Sequence, residues 1–155
     1  MSYKEMLFVI VPDNWVISTI GDVAELKQGL QISKKLRSDS ESLEYVPLLK
    51  ITDSPTKTFS AEGYIANIDD IIYTRTGQVG LVYTGVFGCV HNNCFKVIPN
   101  EEILDRGYVY YYLKSDRMMQ NSNNIASGSV QKDLTHKAFK TVKIGYPTLE
   151  KQKNY

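Results

Sequence analysis

"DDIIYTRTGQVGLVYTG" runs from Asp69 to Gly85. Its two ends, DIIYT and LVYTG, are short runs of β-branched and aromatic residues, which suit a pleated, half-buried surface. Between them stand Gly77 and Gly80, and glycine adopts backbone angles that other residues avoid. The stretch predicts a β-hairpin with a glycine-permitted turn. Its tip carries Arg75, Thr76 and Gln78.

Working outward, the neighbouring segments extend the β reading. NCFKVIP (Asn93–Pro99) is a further strand, and YVPLLKITD (Tyr45–Asp53) is a strand running into a turn at DSPT. Pro47 marks an edge or a strand start, since proline removes a ladder donor. NWVISTI (Asn14–Ile20) alternates as a strand, and GDVAELKQG (Gly21–Gly29) reads as a short helical turn closed by Gly29. QISKKLRSDSES is a polar surface loop, and MLFVIVP near the N-terminus is a strand or staple, not a signal peptide.

After Pro99 the period changes. LDRGYVYYYLKSDRMMQ predicts a helix from Asp105, its cap, to Gln120. Its tyrosines, Tyr108, Tyr111 and Tyr112, are expected to pack on a sheet with their hydroxyls reaching water. NSNNIASGSVQKDL follows as a loop. Thr135 caps a short helix HKAFK, TVKIGYP is a last strand, and TLEKQKNY begins another helical pattern. The expected fold is α+β: a mixed, twisted, β-rich globular unit with a few short helices packed on the sheet. It occupies residues 1–147, and residues 148–155 start a further helix.

With 155 residues and 43% hydrophobic content, the chain fits one domain with an ordinary core. No apolar run approaches the ~18 residues of a membrane span. The net charge of +1 argues against a protein that coats nucleic acid nonspecifically, while leaving room for a local basic face. Catalysis finds no constellation. Only His91 and His136 are present, and no serine sits in a nucleophile elbow. Cys89, Cys94 and His91 are too few for zinc, so the cysteines read as reduced and partly buried. Asp69 and Asp70 read as an acidic turn before a strand, and the Gly77–Gly80 pair lacks the lysine of a phosphate loop. No catalytic residue and no metal ligand is expected.

Binding is better served. Lys50, Thr52 and Lys57 follow one strand; Arg75, Thr76 and Gln78 sit in the hairpin; Ser127, Ser129, Gln131 and Lys132 occupy the closing loop. Arginine pairs with guanine, and glutamine with adenine, through two parallel hydrogen bonds in the major groove. From Lys132 on, six lysines stand against Asp133 and Glu150, a bias suited to phosphates. Composition alone favours solvated loop tips and a lysine-rich surface with no ligand. Trp15, Leu48, Tyr112 and Phe139 are assigned to core packing.

The order of motifs adds a further reading. VPDNWVISTIGDVAELKQG, YVPLLKITD, DDIIYTRTGQVG, NNCFKVIP, YVYYYLKSD and GSVQKDLTHKAFKTVKIGYPTLEKQ follow one another in register. Together they resemble the target recognition domain of the specificity subunit of type I restriction–modification systems. Asp69 stands where that family usually has glycine, and Gly145–Tyr146 stands before the closing proline.

The resemblance implies a non-catalytic, cytoplasmic domain that reads one half of a split double-stranded DNA target. It implies a partner methyltransferase subunit, which binds S-adenosylmethionine and methylates adenine, and a restriction (motor–nuclease) subunit; this chain itself holds no cofactor. It further implies two recognition domains per subunit, separated by long helices. This chain is then one recognition domain, either a piece of a longer subunit or a half subunit that pairs as a homodimer on a palindromic site. The alternative is a protein-interaction module that docks the methyltransferase without reading DNA.

Overall fold

The computed structural model describes residues 3–6, 9–29, 48–49, 64–85, 88–128 and 132–154. Lys50, Thr52, Lys57, Ser129 and Gln131 lie outside them, as do the QISKKLRSDSES loop and most of YVPLLKITD.

The first elements are the antiparallel pair β1 (Tyr3–Met6) and β2 (Val9–Pro12), then β3 (Val16–Thr19), helix α1 (Ile20–Val23) and β4 (Ala24–Gln28). The central strands are β5 (Leu48–Leu49), β6 (Ile65–Ala66), β7 (Ile71–Thr74), β8 (Thr76–Gly77), β9 (Val82–Tyr83), β10 (Gly88–Val90) and β11 (Cys94–Pro99). Helices α2 (Arg106–Lys114) and α3 (Asp116–Ile125) follow, then β12 (Lys132–Asp133), α4 (His136–Lys140), β13 (Lys143–Tyr146) and α5 (Leu149–Gln152). The chain is α+β, as its sequence pattern indicates.

The antiparallel sheet β4–β11–β7–β9 forms the middle layer. All four residues of β7 are buried, so both faces of this strand are covered. The pairing Phe95↔Tyr73 and Val97↔Ile71 sets four large apolar side chains on one face, against the helices. Ile72 and Cys94 face the other way, toward Ala66 and Val90 of the three-stranded sheet β5–β10–β6. The centre of the larger core is aromatic. Phe139 of α4 lies 4.8 Å from the Tyr73 ring and 5.7 Å from Phe95. Leu113, Met118, Leu134 and Ile144 close around it.

Two expectations are overturned. AELKQ is not a helical turn but strand β4: α1 ends at Val23, and Ala24–Gln28 pairs with β11 over five residues. Leu26 is buried between exposed Glu25 and Lys27, the alternation of a strand. Gly29 is therefore no helix cap. A Cβ there would lie 2.2 Å from the carbonyl oxygens of Val90 and His91, so only glycine allows this approach.

The helix expected over residues 105–120 is two helices. Ser115 has an extended ψ of 146°, donates to the Tyr112 carbonyl at 2.8 Å, and accepts from the Met118 N–H at 3.3 Å. One serine thus ends α2 and caps α3, the competition with helix bonding that its side chain favours. α3 continues to Ile125, through residues expected to be loop, because Ser122 is buried and its Oγ lies 2.7 Å from the Tyr73 hydroxyl. The tyrosines of α2 also differ in detail. Tyr108 and Tyr112 donate to the Gly145 and Lys143 carbonyls of β13 at 2.6 and 3.0 Å, while Tyr111 is 65% exposed.

The readings of Asp105 as the cap of α2, of Thr135 as the cap of α4 and of Phe139 as a core residue hold. Thr148 caps α5. Leu48 lies in β5 opposite Val90, and its packing role lies outside the described side chains. Trp15 is partly buried beside β3.

Candidate nucleic-acid interface

The hairpin expected at Asp69–Gly85 exists, but its middle leaves the sheet. β7 pairs with β9 (Ile72↔Tyr83, Tyr73↔Val82). Buried Thr74 then closes the base of an outward excursion. Its N–H donates to the Leu81 carbonyl at 2.9 Å, its carbonyl accepts from Gly80 at 3.2 Å, and its hydroxyl accepts from the Leu81 N–H at 2.9 Å. Residues 75–80 project beyond this clasp. Gly77 and Gly80 take φ of 78° and 95°, the turn conformations that the sequence demanded.

The excursion does not end in solvent alone. β8 pairs with β12 from the closing block (Lys132↔Gly77, Asp133↔Thr76). Ser127 joins on the far side of Asp133, with Ser127 N to Asp133 O at 3.0 Å and Asp133 N to Ser127 O at 2.8 Å. Two segments whose facing residues Thr76 and Asp133 are 57 apart in sequence therefore form one small ribbon. α3 supports its other end: Asn123 Nδ2 donates to Val79 O at 3.0 Å, and Lys132 Nζ donates to Asn123 O at 3.0 Å.

The structure sorts the expected contact residues. Gln78 is exposed at the tip, between Gly77 and buried Val79. Ser127 is exposed beside Gly128, whose φ is 99°. Thr76 donates to Asp133 Oδ1 at 3.1 Å, and the Lys132 ammonium is drawn back onto α3. Arg75 is not at the tip. Its side chain is only 14% exposed, and its nitrogens donate to Asp133, Asn92 O and Leu134 O. Asn124 is exposed in the last turn of α3, in a run whose sequence reads as loop.

The titratable groups elsewhere are structural. Burial pushes the Cys94 thiol up to about 12, so it stays protonated. Asp70 accepts from the Asn67 N–H at 2.8 Å and pairs with Lys96 and Arg106 at 3.4 and 3.2 Å. Among the described residues no group of three metal-ligating side chains occurs.

The family model for the type I restriction modification DNA specificity domain matches residues 12–155. The chain belongs to this family. Two relatives from Methanocaldococcus jannaschii are the type I restriction enzyme MjaVIII and MjaIX specificity subunits. They are 28% and 25% identical over 98% and 97% of this chain. This chain spans only 36% and 38% of their lengths. Among solved structures, the S subunit of a type I restriction–modification system from M. genitalium matches with TM-score 0.63 at 19% identity, over 86% of this chain and 34% of that one. The HsdS subunit from Thermoanaerobacter tengcongensis matches with TM-score 0.63 at 16% identity, over 93% and 36%. These likenesses establish the shared fold.

Acid is expected to weaken this specificity domain in two stages. Burial, then repulsion from Arg75 and Lys140, holds His136 below its ordinary 6.5, against a bond to the Leu26 backbone that raises it. The unfolded chain takes up that proton first, so stability falls as pH drops through 6.5. Burial tends to raise the Asp70 carboxyl, but the Asn67 N–H, Lys96 and Arg106 together hold it below its ordinary 3.8. Its contribution is present above 3.8 and is lost as pH falls through the lower folded value. Urea midpoints between about pH 3 and 8 check this. His136→Phe keeps a ring on Phe95 and should remove the upper stage alone; an unchanged upper stage refutes the assignment.

Proposed function

We propose that this specificity domain reads a short sequence in double-stranded DNA through the β8–β12 ribbon and the loop that adjoins it. One observation carries the reading. The pairing of β8 with β12 brings the hairpin residues and the closing-block residues to a single surface. Gln78 and Ser127 present amide and hydroxyl groups there, and Ser129 and Gln131 belong to the same connection. A two-stranded ribbon is narrow enough for the major groove, and such side chains pair with base edges there.

Lys137, Lys140 and Lys143 are exposed on the elements that follow and would meet phosphates. Lys50, Thr52 and Lys57 would supply a second set of contacts from the block after β5. The domain would carry no reaction itself. A methyltransferase subunit with its S-adenosylmethionine, and a restriction subunit, would act at the site it selects. A half subunit would read a palindromic site as a homodimer.

The test is selection of binding sites from a randomised duplex pool, with and without the methyltransferase subunit. One short motif should be enriched, with affinity falling as salt rises. Gln78→Ala should then relax the preference at one base pair by roughly 1–3 kcal/mol. Uniform binding of all duplexes, or no binding with the partner present, would overturn the reading.

A further inference from the structure

We propose that Arg75 and Asp133 form a latch that orients the β8–β12 ribbon, and that Arg75 serves recognition by positioning the ribbon without touching DNA. This rests on the DNA-reading function above and identifies what holds its surface in place. The guanidinium ties its own segment to two others distant in sequence. Nη2 meets Asp133 Oδ1 at 2.8 Å, Nη1 donates to Asn92 O at 2.8 Å, and Nε donates to Leu134 O at 3.3 Å. The Arg75 backbone repeats the tie: its N–H donates to Asn93 O at 2.8 Å and its carbonyl accepts from Leu134 N at 2.7 Å. Below lies the Phe95 ring, 5.5 Å from the guanidinium carbon to the ring centroid. A planar fork bound on several edges has one orientation, which a flexible ammonium cannot copy.

The ribbon needs such a tie. β8 and β12 share only two residue pairs, and an isolated two-stranded ribbon is marginal in water. Asp133 Oδ1 accepts from Arg75 and also from the Thr76 hydroxyl, so one carboxylate holds both strands. Asp133 is 42% exposed on a surface that would face phosphates. By charge alone its removal should strengthen DNA binding. The latch predicts the opposite for selectivity, and that sign separates the two.

The test compares Asp133→Ala, Arg75→Lys and the double variant. It uses the duplex motif selected with the wild-type chain and its methyltransferase partner, and random duplexes as reference. Each single variant should lower the preference for the selected motif at least about tenfold. Binding of random duplexes should be unchanged, or stronger for Asp133→Ala, and the double variant should be no worse than the worse single one. In hydrogen exchange, the Asp133 and Leu134 amides should lose protection while those of Ile72 and Phe95 keep it.

If Arg75→Lys retains full preference, a point charge suffices and the latch is wrong. If it changes the preference at one base pair only, Arg75 reads a base, and the proposal falls. Unchanged protection of the ribbon amides also overturns it. A wild-type chain that prefers no sequence removes the DNA reading and with it the positioning role, and the exchange data then report whether the ribbon is latched for any purpose.

Discussion

Phe139→Ala is expected to lower the stability of the domain by about 3–5 kcal/mol. The residue is fully buried, and its ring stands between Tyr73 of β7 and Phe95 of β11. Together with His136, whose ring lies 4.5 Å from that of Phe95, it holds α4 to the central sheet. Neighbours such as Leu113, Met118 and Ile144 come from other elements fixed by their own hydrogen bonds, so the space left behind cannot collapse freely. A domain of this size has roughly 5–15 kcal/mol in total, so at least about a fifth of it would be lost. Denaturant unfolding would show the midpoint falling with an unchanged slope. Tyr111→Ala is the control: at 65% exposure it should change stability by no more than about 0.5 kcal/mol. A Phe139→Ala loss below about 1 kcal/mol would contradict the aromatic centre described here.

Gln152→Ala should cost a similar amount, for a different reason. The side chain is buried, yet polar at every end. Oε1 accepts from the Asp105 N–H at 2.8 Å, and Nε2 donates to the carbonyls of Ile103 and Pro147 at 2.8 and 3.0 Å. Alanine leaves one N–H and two carbonyls without that partner. Each such orphan costs about 1–3 kcal/mol, so three of them give an expected loss of at least about 3 kcal/mol where water cannot enter. Gln152→Glu keeps the volume and sharpens the test. Its carboxylate would face two carbonyls, so it should be unstable at neutral pH. It should recover on acidification, since the protonated acid can donate again. Thermal unfolding at two pH values reads both effects, and a Glu variant insensitive to pH would count against the hydrogen-bond assignment.

The two residues also show what the sequence could reveal. The β-rich composition of residues 71–74 and 94–99 is local, and so are the caps Asp105 and Thr135; each was legible as written. AELKQ was not. Alanine, glutamate, leucine, lysine and glutamine are all good helix formers, and the pairing with β11 overrides them. Ser115 hid inside a periodic run, although it stands where a cap belongs. Two of the three partners of Gln152 lie 47 and 49 residues away, and Arg75 meets Leu134 across 59. No local pattern encodes such distances. Residue type alone placed a cation in the hairpin, whereas the fold turns that cation inward.

The clasp at Thr74 has a consequence for how such a domain can change. Because the excursion is closed at its base within the sheet, the register of β7 against β9 is set before the chain reaches Gly77. A Cβ at Gly77 would meet nothing within 4 Å, and Gln78 beside it is exposed. Residues exchanged or inserted between Gly77 and Val79 therefore hang outside the packed layers. The tip behaves as an exchangeable cartridge on a fixed mount: its length and chemistry can change while the folding of the rest is left intact, and under the proposed reading of DNA such changes would alter the target preference.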